Sequence, residues 1–270
     1  MHNNTIEKEL LINFNQEEIL NYLDNQHKIL KYNLAMWAIE HNKIENLNLN
    51  IKKLDFLIKN SNLMQVNNDK YNLLMFAISF NKQGNLNLNA EQFDYLIKNS
   101  YLKQIDKHGN NSLMHVLSNN KEQNLNITQD QFWFLIKNSN LKIVNINGYD
   151  SLMFALIFNK KENLNLSDEQ FNYLIDSSDL TIKNNRNLRT LDLAILNDFS
   201  DKLTYKIIDK MLNLNVVVLE NYNLYKNKDN TFNITEIKKI SAFWDRYYTN
   251  TEINQALSQN NLNKKNNFKL

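Results

Sequence analysis

Residues 72–100 read NLLMFAISFNKQGNLNLNAEQFDYLIKNS, and this stretch decides the fold. Its first part, residues 73–80, is a short and almost wholly apolar segment that is typical of a buried helix. Phe93, Leu96 and Ile97 follow at spacings of three and four residues, which indicates a second helix with one apolar face. The polar Asn-Leu-Asn-Leu segment between the two predicts a loop. The stretch therefore predicts a helix–loop–helix unit.

The same unit recurs every 39 residues along the chain. Leu-Ile-Lys-Asn begins at Leu57, Leu96 and Leu135, and its variant Leu-Ile-Asp-Ser begins at Leu174. A small apolar residue keeps the same period at Ala38, Ala77, Val116, Ala155 and Ala194. One helix–loop–helix unit cannot bury its apolar face alone, whereas stacked copies can, so the period predicts a helical solenoid of about five repeats.

Side chains that cap helices stand at the expected starts of both helices. The first helix of each copy follows a residue with a short polar side chain, namely Asn33, Asn72, Asn111 or Asp150. The second helix follows Asn50, Asn89, Thr128 or Ser167, and the last three have Gln92, Gln131 and Gln170 three residues later. That spacing predicts capping boxes. The first helix is expected to end at Asn42, Asn81, Asn120 or Asn159 in the left-handed conformation that Asn tolerates.

The overall composition excludes several classes of protein. The 270 residues carry a net charge of +2 and include 53 Asn, 3 Gly, no Pro and no Cys. Without Cys there is no disulfide scaffold, thiolate metal site or Cys nucleophile. Three Gly leave no room for a glycine-rich phosphate loop. The start of the chain lacks a secretory signal pattern, and no apolar run approaches the ~20 residues that cross a bilayer, so we expect no membrane partner.

Two of the copies carry a recognisable motif at their start. Residues 106–116, DKHGNNSLMHV, and residues 145–155, NINGYDSLMFA, resemble the ankyrin repeat, whose pattern is D-x-x-G-x-T-P-L-H-x-A. In two further copies, Lys70 and Asn187 occupy the position of the motif's glycine. The repeat departs from the family in its length, because about seven residues are inserted between the helices. The resemblance implies an all-α, ankyrin-like solenoid over residues 28–213. Another two-helix solenoid is the alternative, and it would have plain loops instead of paired extended turns at segments such as 66–70.

The two ends of the chain lack the 39-residue period. We expect N-terminal capping helices in residues 1–27 and a C-terminal helical extension in residues 214–258. In that extension, residues 216–225 are expected to be extended, and helices are expected over 237–248 and 252–258. The polar and basic residues 259–270 are predicted to form a disordered tail.

The sequence contains no recognisable catalytic or metal-binding motif. The five His form no His-x-x-x-His pair, and no Ser lies in a Gly-x-Ser-x-Gly elbow. We therefore predict a non-enzymatic protein with no metal, no cofactor and no small-molecule substrate. Nucleic acid is an unlikely partner, because the recurring Lys59, Lys98 and Lys137 lie at helix C-termini, where Lys is favoured by the helix dipole.

The resemblance implies that another protein binds on the concave face, which turn tips and first helices form. The candidate residues on the first helices are Trp37, Phe76, His115 and Phe154. The candidate residues at the turn tips are Lys70, Tyr71, His108, Asn110, Asn147, Tyr149 and Arg186. Aromatic residues are enriched in interfaces, but they also fill cores, so the first-helix aromatics have a second interpretation as local core.

The expected function is that of a protein–protein interaction module. The bias of 28 Lys against 3 Arg and the abundance of Asn are typical of AT-rich coding. By analogy, such a fold with such a composition resembles effectors of intracellular bacteria that act on host proteins. The alternative is a scaffold or inhibitor of the protein's own cell, such as an antitoxin or a defence protein. The expected location is the cytoplasm, or a host cell into which the protein is delivered.

Overall fold

The computed structural model describes residues 5–26, 33–214 and 238–251. Within these ranges the chain is helical, with one isolated antiparallel bridge between Ile105 and Asn111. The helices are α1 (Thr5–Asn13), α2 (Gln16–Gln26), α3 (Leu34–His41), α4 (Ile51–Asn60), α5 (Leu73–Phe80), α6 (Ala90–Asn99), α7 (Ser112–Asn119), α8 (Gln129–Asn138), α9 (Ser151–Phe158), α10 (Asp168–Ser177), α11 (Thr190–Leu196), α12 (Asp201–Asn213) and α13 (residues 238–251). The all-α fold class is as predicted.

The chain divides into two compact units, Met1–Asp179 and Leu180–Leu270. The first unit contains α1, α2 and four copies of the helix pair, α3/α4, α5/α6, α7/α8 and α9/α10. First helices contact first helices of neighbouring copies, and second helices contact second helices. The second unit contains the pair α11/α12 and the helix α13. The expectations for residues 216–225, 252–258 and 259–270 lie outside the described residues.

Side-chain caps start the helices at the predicted positions. In the second copy, the Asn72 side chain accepts the Met75 N–H, and Asn89 forms a reciprocal capping box with Gln92. The other predicted caps of the first unit also accept a backbone N–H: Asn33, Asn50, Asn111, Thr128, Asp150 and Ser167. The caps were predictable because each depends on residues three apart in sequence.

The prediction that Asn81 ends α5 in the left-handed conformation is wrong. Asn81 is right-handed, with φ of −52°, and Asn42, Asn120 and Asn159 are right-handed too. The chain continues through one more turn, and Asn85 takes the left-handed conformation with φ of 55°. Leu86 N–H then bonds Asn81 C=O at 2.8 Å. The same left-handed position is occupied by Asn46, Asn124 and Asn163 in the other copies.

The buried Asn side chains link neighbouring copies instead. Asn81 is 1% exposed, and its Nδ2 donates to the carbonyl oxygens of Gln123 and Asn124 in the next copy, at 3.1 and 3.2 Å. Its Oδ1 accepts the Leu88 N–H within its own copy at 2.9 Å. Asn42 makes the equivalent bonds one copy earlier. These amides satisfy backbone groups that would otherwise be buried without partners, so they stabilise the stack.

The segments between copies form paired extended turns. In the turn of the third copy, Asp106 N–H bonds Asn110 C=O at 2.9 Å, and Gly109 has φ of 82°. The adjacent turns are joined by Lys107 N–H to Asp69 C=O at 2.8 Å and by Ile146 N–H to His108 C=O at 2.8 Å. Lys70 and Asn187, at the glycine place of two other copies, also have positive φ, of 63° and 61°. Paired turns of this kind distinguish an ankyrin-like repeat from an all-helical one.

Candidate functional site

The aromatic row on the first helices lies mostly inside the protein. Trp37 is 8% exposed, Phe76 is 3% exposed and His115 is 7% exposed, while Phe154 is half-buried. We call these four residues the first-helix row. Their burial supports the local-core interpretation for the first three.

Other rings cover the first-helix row. Phe76 stacks on Phe80 one helical turn later, with ring centroids 4.6 Å apart, and Trp37 stacks on His41 at 4.5 Å. Tyr71 approaches Phe76 edge-on at 6.3 Å from the turn before the helix. These contacts fix the aromatic side chains against their own helices and turns.

His115 takes part in a buried polar cluster at the base of the turns. Its Nε2 donates to Asp106 Oδ2 at 2.9 Å, and the Asp106 Oδ1 accepts the N–H groups of His108 and Asn110 at 2.8 and 2.9 Å. Burial alone would raise the pKa of Asp106, but the hydrogen bonds from His115 and Asn110 outweigh it and lower that pKa to about 2. Asp106 therefore acts as the ionised anchor of its turn.

Tyr71 completes this cluster from the neighbouring copy. Its ring lies 5.0 Å from the His115 ring, centroid to centroid. Burial, followed by the carboxylates of Asp106 and Asp69, raises the pKa of the Tyr71 phenol to about 12. The phenol stays neutral at physiological pH, so Tyr71 adds no second negative charge beside the ionised Asp106. This arrangement joins the turns of two neighbouring copies through side-chain contacts.

The tips of the turns are the exposed part of the predicted site. Lys70, His108, Asn147 and Arg186 are exposed, while Tyr71, Asn110 and Tyr149 are partly buried. Arg186 belongs to the second unit, and the other six residues belong to the first. Asn145 Nδ2 donates to Asn110 Oδ1 at 2.9 Å, which adds a side-chain link between two tips. Successive tips of the first unit thus form one hydrogen-bonded edge.

Three exposed apolar residues of this edge were not predicted from the sequence. Ile146 is 63% exposed, Val144 is 41% exposed and Ile105 is 36% exposed. Together with Lys70, His108 and Asn147 they form what we call the turn-tip edge. The missed signal is the alternation of Val144 and Ile146 around buried Asn145, which is typical of an extended segment with one solvent-facing side.

Two further features, metal ligands and membrane-spanning helices, can be stated for the described residues. In residues 5–26, 33–214 and 238–251, no three His, Asp or Glu side chains come together as ligands of a metal ion would. Over the same ranges, no helix has the length and apolar character needed to cross a bilayer.

Comparison with known proteins finds similarity in solved structures. The ankyrin repeat protein EF0377 is 16% identical, with a TM-score of 0.47, over 77% of this chain and 98% of that chain. An ankyrin repeat domain, ABAYE2397, from Acinetobacter baumannii AYE is 16% identical, with a TM-score of 0.48, over 76% of this chain and 96% of that chain. No protein-family model and no curated protein sequence matches this chain.

Proposed function

We propose that this chain, with its ankyrin-like helix pairs and hydrogen-bonded turns, is a non-enzymatic module that binds another protein. The binding surface would be the face formed by the turn tips and first helices, which the ankyrin resemblance makes the concave face. The observation that carries the proposal is the turn-tip edge, because it holds exposed apolar and polar side chains on turns that are bonded to each other. Preformed surfaces of this kind lose little conformational entropy on binding.

The turn-tip edge and the first-helix row have different parts in this proposal. Ile146, His108 and Asn147 would contact the partner directly, since their side chains are exposed. Trp37, Phe76 and His115 would support the edge from below, since they are buried. Phe154 is half-buried and would contact both the partner and the core.

The chemistry of the edge suits a protein surface better than a polyanion. Lys107, which lies between the tips, is neutralised by Asp69 at 2.8 Å, and Ile105, Val144 and Ile146 contribute apolar area. A mixture of exposed apolar groups and hydrogen-bonding groups is typical of protein interfaces, whereas nucleic-acid surfaces are dominated by unpaired cations.

The composition of the chain bears on its biological setting. The Lys and Asn bias supports an effector of an intracellular bacterium that acts on host proteins in a host cell. A scaffold or inhibitor in the cytoplasm of the protein's own cell is the second candidate. The two settings differ in the source of the partner, so both lysates belong in the same experiment.

A capture experiment with matched variants tests the binding surface. The full chain is immobilised and exposed to host-cell and own-cell lysates, and a captured protein is then offered to two triple variants. The tip variant carries His108→Ala, Ile146→Ser and Asn147→Ala. The control variant carries Ile51→Ser, Lys52→Ala and Glu91→Ala, which are exposed positions on the second-helix side.

We expect the tip variant to lose the captured protein and the control variant to keep it. Both variants should unfold at the temperature of the parent chain, because all six side chains are exposed and contribute little to stability. Retention of the captured protein by the folded tip variant would show that another surface binds it.

A further inference from the structure

A groove on the second-helix side of the first unit is distinct from the turn-tip edge. Its volume is about 540 Å³, and it lies at the C-terminal end of α8, between the segments that follow α6 and α8 and one side of α10. Lys103, Lys137 and Lys142 line it together with Tyr173 and Ser177. Three cationic side chains thus border one open cavity.

The neighbouring copies show why this groove is unusually basic. In the first and second copies, Lys59 and Lys98 end the second helix, and each is paired with an Asp four residues earlier, Asp55 at 2.8 Å and Asp94 at 2.7 Å. In the third copy the equivalent of Asp94 is Trp133. Lys137 therefore has no carboxylate four residues earlier on its helix, and it lies over the Trp133 ring, with Nζ 4.6 Å from the centroid.

The two other cations of the groove, Lys103 and Lys142, lie in the segments that follow α6 and α8. Lys103 occupies the place that Met64 has one copy earlier, so the groove gains a charge there. Among the described residues, none of Lys103, Lys137 and Lys142 forms an ion pair. Relative to the preceding copy, the groove therefore has one acidic side chain fewer and one basic side chain more.

We propose that this groove binds an acidic peptide segment of a protein partner. Three ammonium groups around one open cavity complement two or three carboxylates, and Tyr173 and Ser177 add hydroxyl groups that can donate to them. Single-stranded nucleic acid is disfavoured, because the Trp133 ring on which a base would stack already has Lys137 on its face and Tyr173 edge-on at 5.9 Å. The inference does not rest on the turn-tip edge, because no residue is shared.

Fluorescence anisotropy with a short fluorescein-labelled poly-glutamate peptide tests this inference on the full chain. A poly-glutamine peptide of the same length and a single-stranded DNA oligonucleotide serve as alternative probes. The groove variant carries Lys103→Gln, Lys137→Gln and Lys142→Gln. The control variant carries Lys59→Gln, Lys98→Gln and Lys160→Gln, which removes the same net charge elsewhere.

We expect the groove variant to weaken poly-glutamate binding by about tenfold, and the control variant by less than about twofold. Trp133→Asp, which restores the acid found in the first two copies, should also weaken binding although all lysines remain. Thermal unfolding confirms that each variant is folded.

Several results would overturn the inference. Equal weakening by the groove and control variants would mean that only net charge matters. Absence of poly-glutamate binding by the parent chain, or equal binding of poly-glutamine, would remove the acidic specificity. Tighter binding of the oligonucleotide through the same lysines would assign the groove to nucleic acid.

Discussion

The first-helix row and the turn-tip edge belong to the same repeats but differ in exposure. Phe76 is 3% exposed, whereas Ile146 is 63% exposed. The first-helix row lies in the layer through which copies contact each other, together with Asn81 and Asp150. The side chains of the turn-tip edge are exposed, and backbone hydrogen bonds join its turns to each other.

This difference separates stability from recognition within one repeat. Changes in the buried layer should lower the free energy of unfolding, and changes at the turn-tip edge should alter binding alone.

Phe76→Ala should have the largest effect on stability. Phe76 is buried against Phe80 and Tyr71, and removal of its ring leaves a cavity that the stack cannot close. We expect a loss of about 3–5 kcal/mol in the free energy of unfolding, measured by urea denaturation. A loss below about 1 kcal/mol would show that the ring faces solvent, as in a binding groove.

Asn81→Asp should have the second largest effect on stability, and Asn85→Asp is its matched control. The substitution at Asn81 removes the donor to Gln123 and Asn124 and buries a carboxylate, so we expect a loss of about 3 kcal/mol. Asn85 is exposed, and the same change there should cost under about 1 kcal/mol. Equal costs at the two sites would contradict the coupling role of the buried amide.

Asp150→Asn should stabilise the protein, and the gain should depend on pH. Asn33, Asn72 and Asn111 each donate Nδ2 to a carbonyl just after the second helix of the same copy, at 3.2–3.3 Å. Asp150 occupies the same position in its copy, and its Oδ2 is buried without a hydrogen-bond partner. Burial raises the pKa of Asp150 from 3.8 to about 7. An amide at this position can donate a hydrogen bond to a backbone carbonyl, whereas an ionised carboxylate cannot.

The sign of the pH effect follows from the raised pKa. The native state favours protonated Asp150, so this group stabilises the fold below pH 3.8, and that contribution is lost as the pH rises to about 7. We expect Asp150→Asn to raise the free energy of unfolding by about 1–3 kcal/mol above pH 7 and by little near pH 4. A gain that is the same at both pH values would refute a buried, titrating carboxyl.

Ile146→Ser should have the smallest effect on stability. The Ile146 side chain is 63% exposed, and its backbone N–H bonds the neighbouring turn whichever side chain is present, so we expect a change within about 0.5 kcal/mol. Circular-dichroism melting checks the value. A clear loss of stability would mean that the turn-tip edge is part of the core.

The repeat and the caps could be predicted from sequence because they depend on local spacing. The placement of the aromatic row could not, because residues 73–78 of α5 are all buried and the helix has no polar face to orient it. The left-handed position was also ambiguous, since Asn81 and Asn85 are the same residue type four positions apart. Only the extra turn after α5 decides between them, and its Leu86–Asn81 bond is specific to the inserted loop.

The basic groove shows a different limit. The sequence alone shows that Trp133 stands where the preceding copy has Asp94, because the two positions are 39 residues apart. Its consequence requires the structure, because Lys103 comes from the preceding copy and meets Lys137 and Lys142 only after the copies stack.

Amide hydrogen exchange of the full chain, with and without its captured partner, tests the central claim most directly. The turn-tip edge should be the region protected on binding, so the account predicts slower exchange in residues 105–110 and 144–149. Exchange in the second helices α4 and α6 should not change. Protection confined to the second helices, with unchanged exchange at the tips, would contradict the account.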